Sequence, residues 1–144
     1  MVLSTNKLGR SGMSLTEMGF GGAPLGGVGQ RASEDQAMEI LREAYESGIR
    51  YFDTAPLYGK GLSEKRIGKF LNTVSRDSFV ISTKVGRLLV PKDEGQRDQM
   101  IHHDESKSII YDYSYEGAKT SLEASISRLG IDHVDLLLCH DIDE

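Results

Sequence analysis

The chain has 144 residues, 17 of them basic and 22 acidic, for a formal net charge of −5. That length suits a single domain with its own core and falls well short of the ~250 residues of a complete eight-stranded α/β barrel. Mild acidity, with no Lys/Arg run longer than Lys65-Arg66, argues against a nucleic-acid partner. A single cysteine, Cys139, excludes an intramolecular disulfide and fits a reducing compartment. No stretch is apolar enough for a secretory signal or a membrane span, so a cytoplasmic protein without a membrane partner is expected.

The segment Leu3–Leu15, with Gly9 and Gly12 around a turn, predicts a small hairpin. Met18–Pro24 reads as a first, glycine-rich strand. Ser33 with Gln36 forms a capping box that opens a helix, and Glu34 and Asp35 suit the positive end of its dipole. Ala37, Ile40, Leu41, Ala44 and Tyr45 then recur on one helical face, and Gly48 supplies a left-handed stop. Ile49–Ala55 is aromatic and β-branched and predicts a second strand. A second helix starts near Ser63, with Ile67, Phe70, Leu71 and Val74 as its apolar face. Ser78–Val85 predicts a third strand. A long connection, residues 86–113, follows; unstructured connections of such length are functional or disordered, and a substrate-side lid carrying Arg87 near its start is expected. Ser114 caps a third helix with Ala118, Leu122, Ile126 and Leu129 on one side, ended by Gly130. His133–His140 predicts a fourth strand. Strands alternating with helices imply a parallel sheet with right-handed crossovers.

Ligands of parallel α/β proteins bind at the carboxyl ends of the strands. Asp53 ends the second strand, Tyr58 follows in the next loop, Lys84 ends the third strand and His140 ends the fourth. Neighbouring strands lie ~4.8 Å apart, so these side chains fall in one row. A free phenol has a pKa near ~10, too high for easy proton exchange at neutral pH. A lysine beside it stabilises the phenolate, a carboxylate holds the lysine charged, and a histidine orients a carbonyl oxygen. Each residue alone has a plainer reading: a turn cap for Asp53, loop packing for Tyr58, a solvated amine for Lys84, no role for His140. Their shared position favours an acid for a carbonyl under hydride attack.

The run GIRYFDTAPLYGKGLSEKRIGKFL closely resembles the first signature of the aldo-keto reductase family, and the resemblance continues through VISTKVGR and VDLLLCHDID over nearly the whole chain. The opening RSGMSLTEMGFGGAPLGG, the block DYSYEGAKTSLEASISRLGIDHVD and the ending look most like the family's branch of aldose and pyridoxal dehydrogenases. The resemblance implies that Asp53, Tyr58, Lys84 and His140 are the catalytic tetrad, with Tyr58 as general acid in reduction or base in oxidation. It implies a (β/α)8 TIM barrel and an NADP or NAD cofactor bound without a dinucleotide domain. Gly22 and Ala23, with Asp53, fall where the family backbone approaches the nicotinamide. The implied substrate is a small-molecule sugar or aldehyde, placing the protein in carbohydrate metabolism.

Residues 1–144 then represent the first half of a single barrel domain, truncated after the fourth strand. The resemblance puts the carboxamide-binding residues, the nicotinamide-stacking aromatic and the phosphate loops in the half not present, so this chain alone is expected to be inactive. A half-barrel leaves two open edges and an apolar face uncovered. Such a chain is a fragment, or is unstable, or completes a barrel by self-association of two copies. The rival reading is a catalytically silent scaffold or binding subunit.

Other motifs carry less. Gly27-Val28-Gly29-Gln30-Arg31-Ala32 matches a loose dinucleotide fingerprint but lacks the tight strand-to-helix turn, and Gly59-Lys60-Gly61 is not a phosphate loop. His102-His103-Asp104 lacks a further ligand at metal-site spacing. Alternation points Cys139 away from His140, so a buried structural thiol is expected.

Overall fold

The computed structural model describes residues 3–29, 32–92 and 106–142. A short antiparallel hairpin comes first, β1 (Thr5–Lys7) and β2 (Ser14–Thr16), in the register Thr5↔Thr16 to Lys7↔Ser14. Thr16 fixes it to the sheet, donating from its hydroxyl to the Met18 carbonyl and accepting from the Arg50 amide. Both partners precede strands, so the hairpin sits at the amino-terminal end of the sheet.

The sheet has four parallel strands in the order β3 (Gly19–Gly21), β4 (Tyr51–Asp53), β5 (Val80–Val85) and β8 (Leu136–Cys139). β3 is shorter than Met18–Pro24 predicted. Proline has no amide to donate to a ladder, and Ala23–Gly26 instead winds into a single 3-10 turn. The register pairs Gly21 with Asp53, Asp53 with Ser82, and Lys84 with Leu138. Side chains alternate across a sheet, so Tyr51, Asp53, Ser82, Lys84 and Leu138 share one face and Phe20, Phe52, Ile81 and Thr83 the other.

The helices α1 (Glu34–Glu46), α2 (Leu62–Leu71) and α3 (Tyr115–Leu129) follow β3, β4 and the β5 region. They bury the second face, with Leu25, Leu41, Phe52, Ile67, Leu71, Ile81 and Leu129 at the centre of the core. Burying each such side chain contributes about 1.5–3 kcal/mol. The predicted capping box of Ser33 and Gln36 is formed in both directions. Within α1, Ala37 and Leu41 are buried, but Ile40 is 45% exposed. It borders a groove of about 800 Å³ with Phe20, Pro24 and Leu25 along the β3 edge of the sheet. In α3 the buried row is Gly117, Ser121, Ser125 and Leu129 rather than the predicted line of Ala118, Leu122 and Ile126. Small residues let this helix approach closely. Gly68 of α2 lies against the Leu129 carbonyl, leaving no room for a Cβ. Asn72 ties the two helix ends by donating to the carbonyls of Gly68 (2.7 Å) and Leu129 (2.9 Å).

Three expectations need correction. The 86–113 connection is not a structureless lid: β6 (Arg87–Pro91) and β7 (Lys107–Tyr111) pair antiparallel through five residues each. The segment between them is long and gives no tight-turn signal, which hid the pairing. His102, His103 and Asp104 lie outside the described residues. Cys139 is exposed, not buried. It does alternate with His140, but β8 is the edge strand and no described helix covers that side. Finally, the uncovered sheet face is not a continuous apolar patch. It is polar at Asp53, Ser82 and Lys84, toward the carboxyl ends of β4 and β5, and apolar at Val80 and toward β8, where Leu138 is 41% exposed.

Candidate active site

Asp53, Tyr58, Lys84 and His140 converge at the carboxyl-terminal end of the sheet, opposite the hairpin. Lys84 Nζ donates to Asp53 Oδ2 at 2.6 Å and to the Thr54 carbonyl at 3.0 Å. Lys84 is 13% exposed and Asp53 25% exposed, so the pair is shielded enough to hold its geometry. The other carboxylate oxygen of Asp53 accepts from Ser82 Oγ at 2.6 Å, and Ser82 Oγ lies 3.0 Å from the Tyr51 hydroxyl. Asp53 therefore has both oxygens engaged by protein and cannot swing away from the lysine.

Tyr58 folds over this pair. Lys84 Nζ lies 4.9 Å from the centroid of its ring, and the His140 ring meets it edge-on at 5.8 Å and 84°. The loop bearing Tyr58 is fixed by backbone contact. Gly59 (φ +65) rests on Gly26, and a Cβ at either position would strike the other strand of chain. Only glycine fits where two backbones touch and one is left-handed. The base of the loop is held by Ser63, whose amide donates to the Tyr58 carbonyl at 3.1 Å. Ser63 Oγ bonds the Gly22 carbonyl at 2.7 Å and lies 2.9 Å from Thr54 Oγ1. Gly22 also donates its amide to the Asp53 carbonyl at 2.7 Å. Gly22 is thus buried beside Asp53 with the half-buried Ala23 next to it, and an added Cβ at the exposed Gly21 would meet nothing within 4 Å.

His140 follows β8, and its amide donates to the Val85 carbonyl at 3.0 Å. The Tyr113 hydroxyl donates to the His140 carbonyl. The imidazole is buried. Burial lowers its pKa from the ordinary value of 6.5; the Asp141 carboxylate opposes that shift and Arg87 reinforces it, with smaller effects from Lys84 (lowering) and Asp53 (raising). Nε2 faces Asp141 Oδ2 at 3.6 Å, whereas Nδ1 has no partner among the described residues. A carboxylate beside Nε2 favours the tautomer with its proton there, so His140 is a neutral donor at neutral pH. The folded state binds fewer protons than the unfolded chain below about pH 6.5, so stability should fall as pH falls from there toward the lowered value. Titration of the imidazole carbon protons by NMR should place His140 below the ordinary value of 6.5; a midpoint at or above it would refute the neutral assignment.

Several supporting residues carry no obvious signal in the sequence. Glu64 on α2 is fully buried and accepts from Thr83 Oγ1 at 2.8 Å and Arg128 Nε at 2.5 Å. Arg66 donates to the carbonyls of Leu25 and Ala32 and pairs with Glu34 at 3.1 Å, which fastens the loop after β3. Ser82 could have been found from alternation alone, since period two places it on the face of Lys84.

Parallel strands with crossover helices and a cluster of ionisable side chains at their carboxyl ends are the arrangement of part of an α/β barrel. The chain belongs to the Aldo/keto reductase family, whose model matches residues 17–144. It is 43% identical over 136 residues to the D-threo-aldose 1-dehydrogenase of Pseudomonas sp, covering 91% of this chain and 41% of that protein. It is 40% identical over 145 residues to the pyridoxal 4-dehydrogenase of Microbacterium luteolum, covering 94% and 42%. The holo form of an aldo-keto reductase from Bacillus halodurans is similar in structure at a TM-score of 0.74 and 31% identity, over 96% of this chain and 40% of that one. The chain spans about two fifths of the length of these relatives, and its sheet is the first half of the (β/α)8 barrel. Among the described residues no helix is long and apolar enough to cross a membrane.

Proposed function

We propose that the whole protein is an NAD(P)-dependent oxidoreductase that interconverts an aldose or small aldehyde or ketone with its lactone or alcohol. The observation that carries this is the convergence of the Tyr58 phenol, the Lys84–Asp53 ion pair and the His140 imidazole at one end of the sheet. The kinship to aldose and pyridoxal dehydrogenases supports the substrate class.

The four side chains handle a proton and hold no two-electron donor. A bound nicotinamide would supply the hydride chemistry. The fit is favourable: the open space over Gly21 adjoins Asp53 on the site face, and Ala23 beside it carries only a methyl group. Gly22, Ala23 and Asp53 are the residues of this chain proposed to contact it.

His140, neutral and protonated on Nε2, donates to the reacting oxygen and orients it. Tyr58 gives its phenolic proton to that oxygen in reduction, or accepts one in oxidation. Lys84 supplies the countercharge as the phenol ionises, and Asp53, with Ser82 behind it, fixes the ammonium in place. The whole protein, given an aldose with NAD or NADP, should produce reduced nicotinamide, seen by its absorbance. Absence of turnover with every sugar and aldehyde tried, in either direction and with either nucleotide, would favour the alternative of a silent scaffold.

A further inference from the structure

His140 has a charged neighbour, Asp141, to which the proton-transfer scheme gives no part beyond setting the imidazole tautomer. Asp141 is one of two non-glycine residues with positive φ among the described residues, at +44°. That left-handed step turns its side chain back toward the site, where Oδ2 lies 3.6 Å from His140 Nε2. Arg87, at the start of β6 and only 8% exposed, pairs with the same oxygen at 2.7 Å. Asp141 is itself 47% exposed. The Tyr113 hydroxyl, which holds the His140 carbonyl, lies 3.3 Å from the carbonyl of Asp141 as well. Tyr113 in turn sits over Gly86, where any side chain would strike its ring. The turn after β8 is therefore built from both sides: its backbone by Tyr113, its carboxylate by Arg87.

The remaining oxygen, Oδ1, has no protein partner among the described residues. An ionised carboxylate is purely an acceptor, with about four lone-pair directions, and an arginine partner holds its geometry firmly. With Oδ2 held 3.6 Å from the imidazole Nε2, the carboxylate and the imidazole donor form an adjacent pair of opposite hydrogen-bonding character. Such a pair suits two oxygens on adjacent carbons: the reacting oxygen accepts from His140 and its neighbouring hydroxyl donates to Asp141. We propose that Asp141, clamped by Arg87, is a hydroxyl-binding subsite that selects substrates bearing a hydroxyl next to the reacting carbon. This rests on the proton-transfer reading of the same site. Arg87 is a positioning residue, acting through Asp141.

A site that hydrogen-bonds a substrate hydroxyl discriminates against analogues lacking it. The test compares kcat/KM of the whole protein for an aldopentose with that for propanal, which has no adjacent hydroxyl. Asp141→Gly removes the carboxylate and tolerates the left-handed backbone; Asp141→Asn tolerates it too and keeps a weaker acceptor. The aldopentose-to-propanal ratio should fall about ten- to a hundredfold in Asp141→Gly and less in Asp141→Asn, as expected for loss of a hydrogen bond to a charged group. A ratio within twofold of wild type in both variants overturns the subsite while leaving the proton-transfer reading intact. A wild-type protein that reduces propanal but gains nothing from the aldopentose hydroxyl overturns it equally. A wild type inactive on both substrates with both nucleotides overturns the underlying reading and the subsite with it.

Discussion

Replacing Tyr58 by phenylalanine in the whole protein should lower kcat by about 10²–10⁴-fold, the usual contribution of a positioned acid or base. The ring would stay where it is, because its place is set by the Gly26–Gly59 backbone contact and by Ser63, not by the hydroxyl. Nicotinamide affinity, measured by fluorescence titration, should change by less than about threefold, since uniform binding is untouched when only a proton donor is removed. The split between turnover and affinity is the informative part. A variant that kept wild-type turnover would assign the proton to another group, and none of the neighbours fits: Lys84 is committed to Asp53 and the Thr54 carbonyl, and His140 presents only Nε2. Equal loss of affinity and turnover would instead mean that the substitution had disturbed the loop.

The largest effect on stability is expected at Glu64. Its carboxylate is wholly buried between α2, β5 and α3, where Thr83 and Arg128 donate to its two oxygens. Arg128 also donates to Ser125 at 3.0 Å, but that hydroxyl cannot replace the lost countercharge. Glu64→Ala therefore leaves a shielded guanidinium uncompensated and should cost about 3–5 kcal/mol, the range for breaking one side of a buried pair. Urea denaturation followed by circular dichroism would measure it. A loss below about 1 kcal/mol would show that water or a shifted side chain takes over the site. Because Thr83 precedes Lys84, this ion pair also anchors the strand that carries the lysine; stability and site geometry depend on it together.

Much of this was legible in the residues. The Ser33 box, the Gly130 stop and the alternation of strands with helices each follow from local chemistry, and each is formed as expected. The convergence of Asp53, Lys84 and His140 followed from one rule, that parallel strands bring their carboxyl ends together. What escaped was long-range. The β6–β7 pair joins segments far apart in sequence, and no turn motif flags it. The close approach of α3 depends on Ser121 and Ser125, which look like surface residues in the sequence and are buried in the fold. Ile40 and Cys139 match an apolar pattern, but pattern alone does not say whether a neighbour exists to cover them. The Arg87–Asp141 pair brings together the ends of two strands through their loops, and its residues are ordinary surface types in isolation.

The backbone contact between Gly26 and Gly59 has a bearing on how such a site diversifies. Two loops fastened to each other at residues without side chains cannot be lengthened or redirected one at a time; a change in either dislodges Tyr58. New specificities are then easier to reach from the opposite wall, where Arg87 and Asp141 are joined through side chains that substitution can alter singly. The mouth of this half-barrel thus has one pair of loops joined through backbone at Gly26 and Gly59 and another joined through the side chains of Arg87 and Asp141.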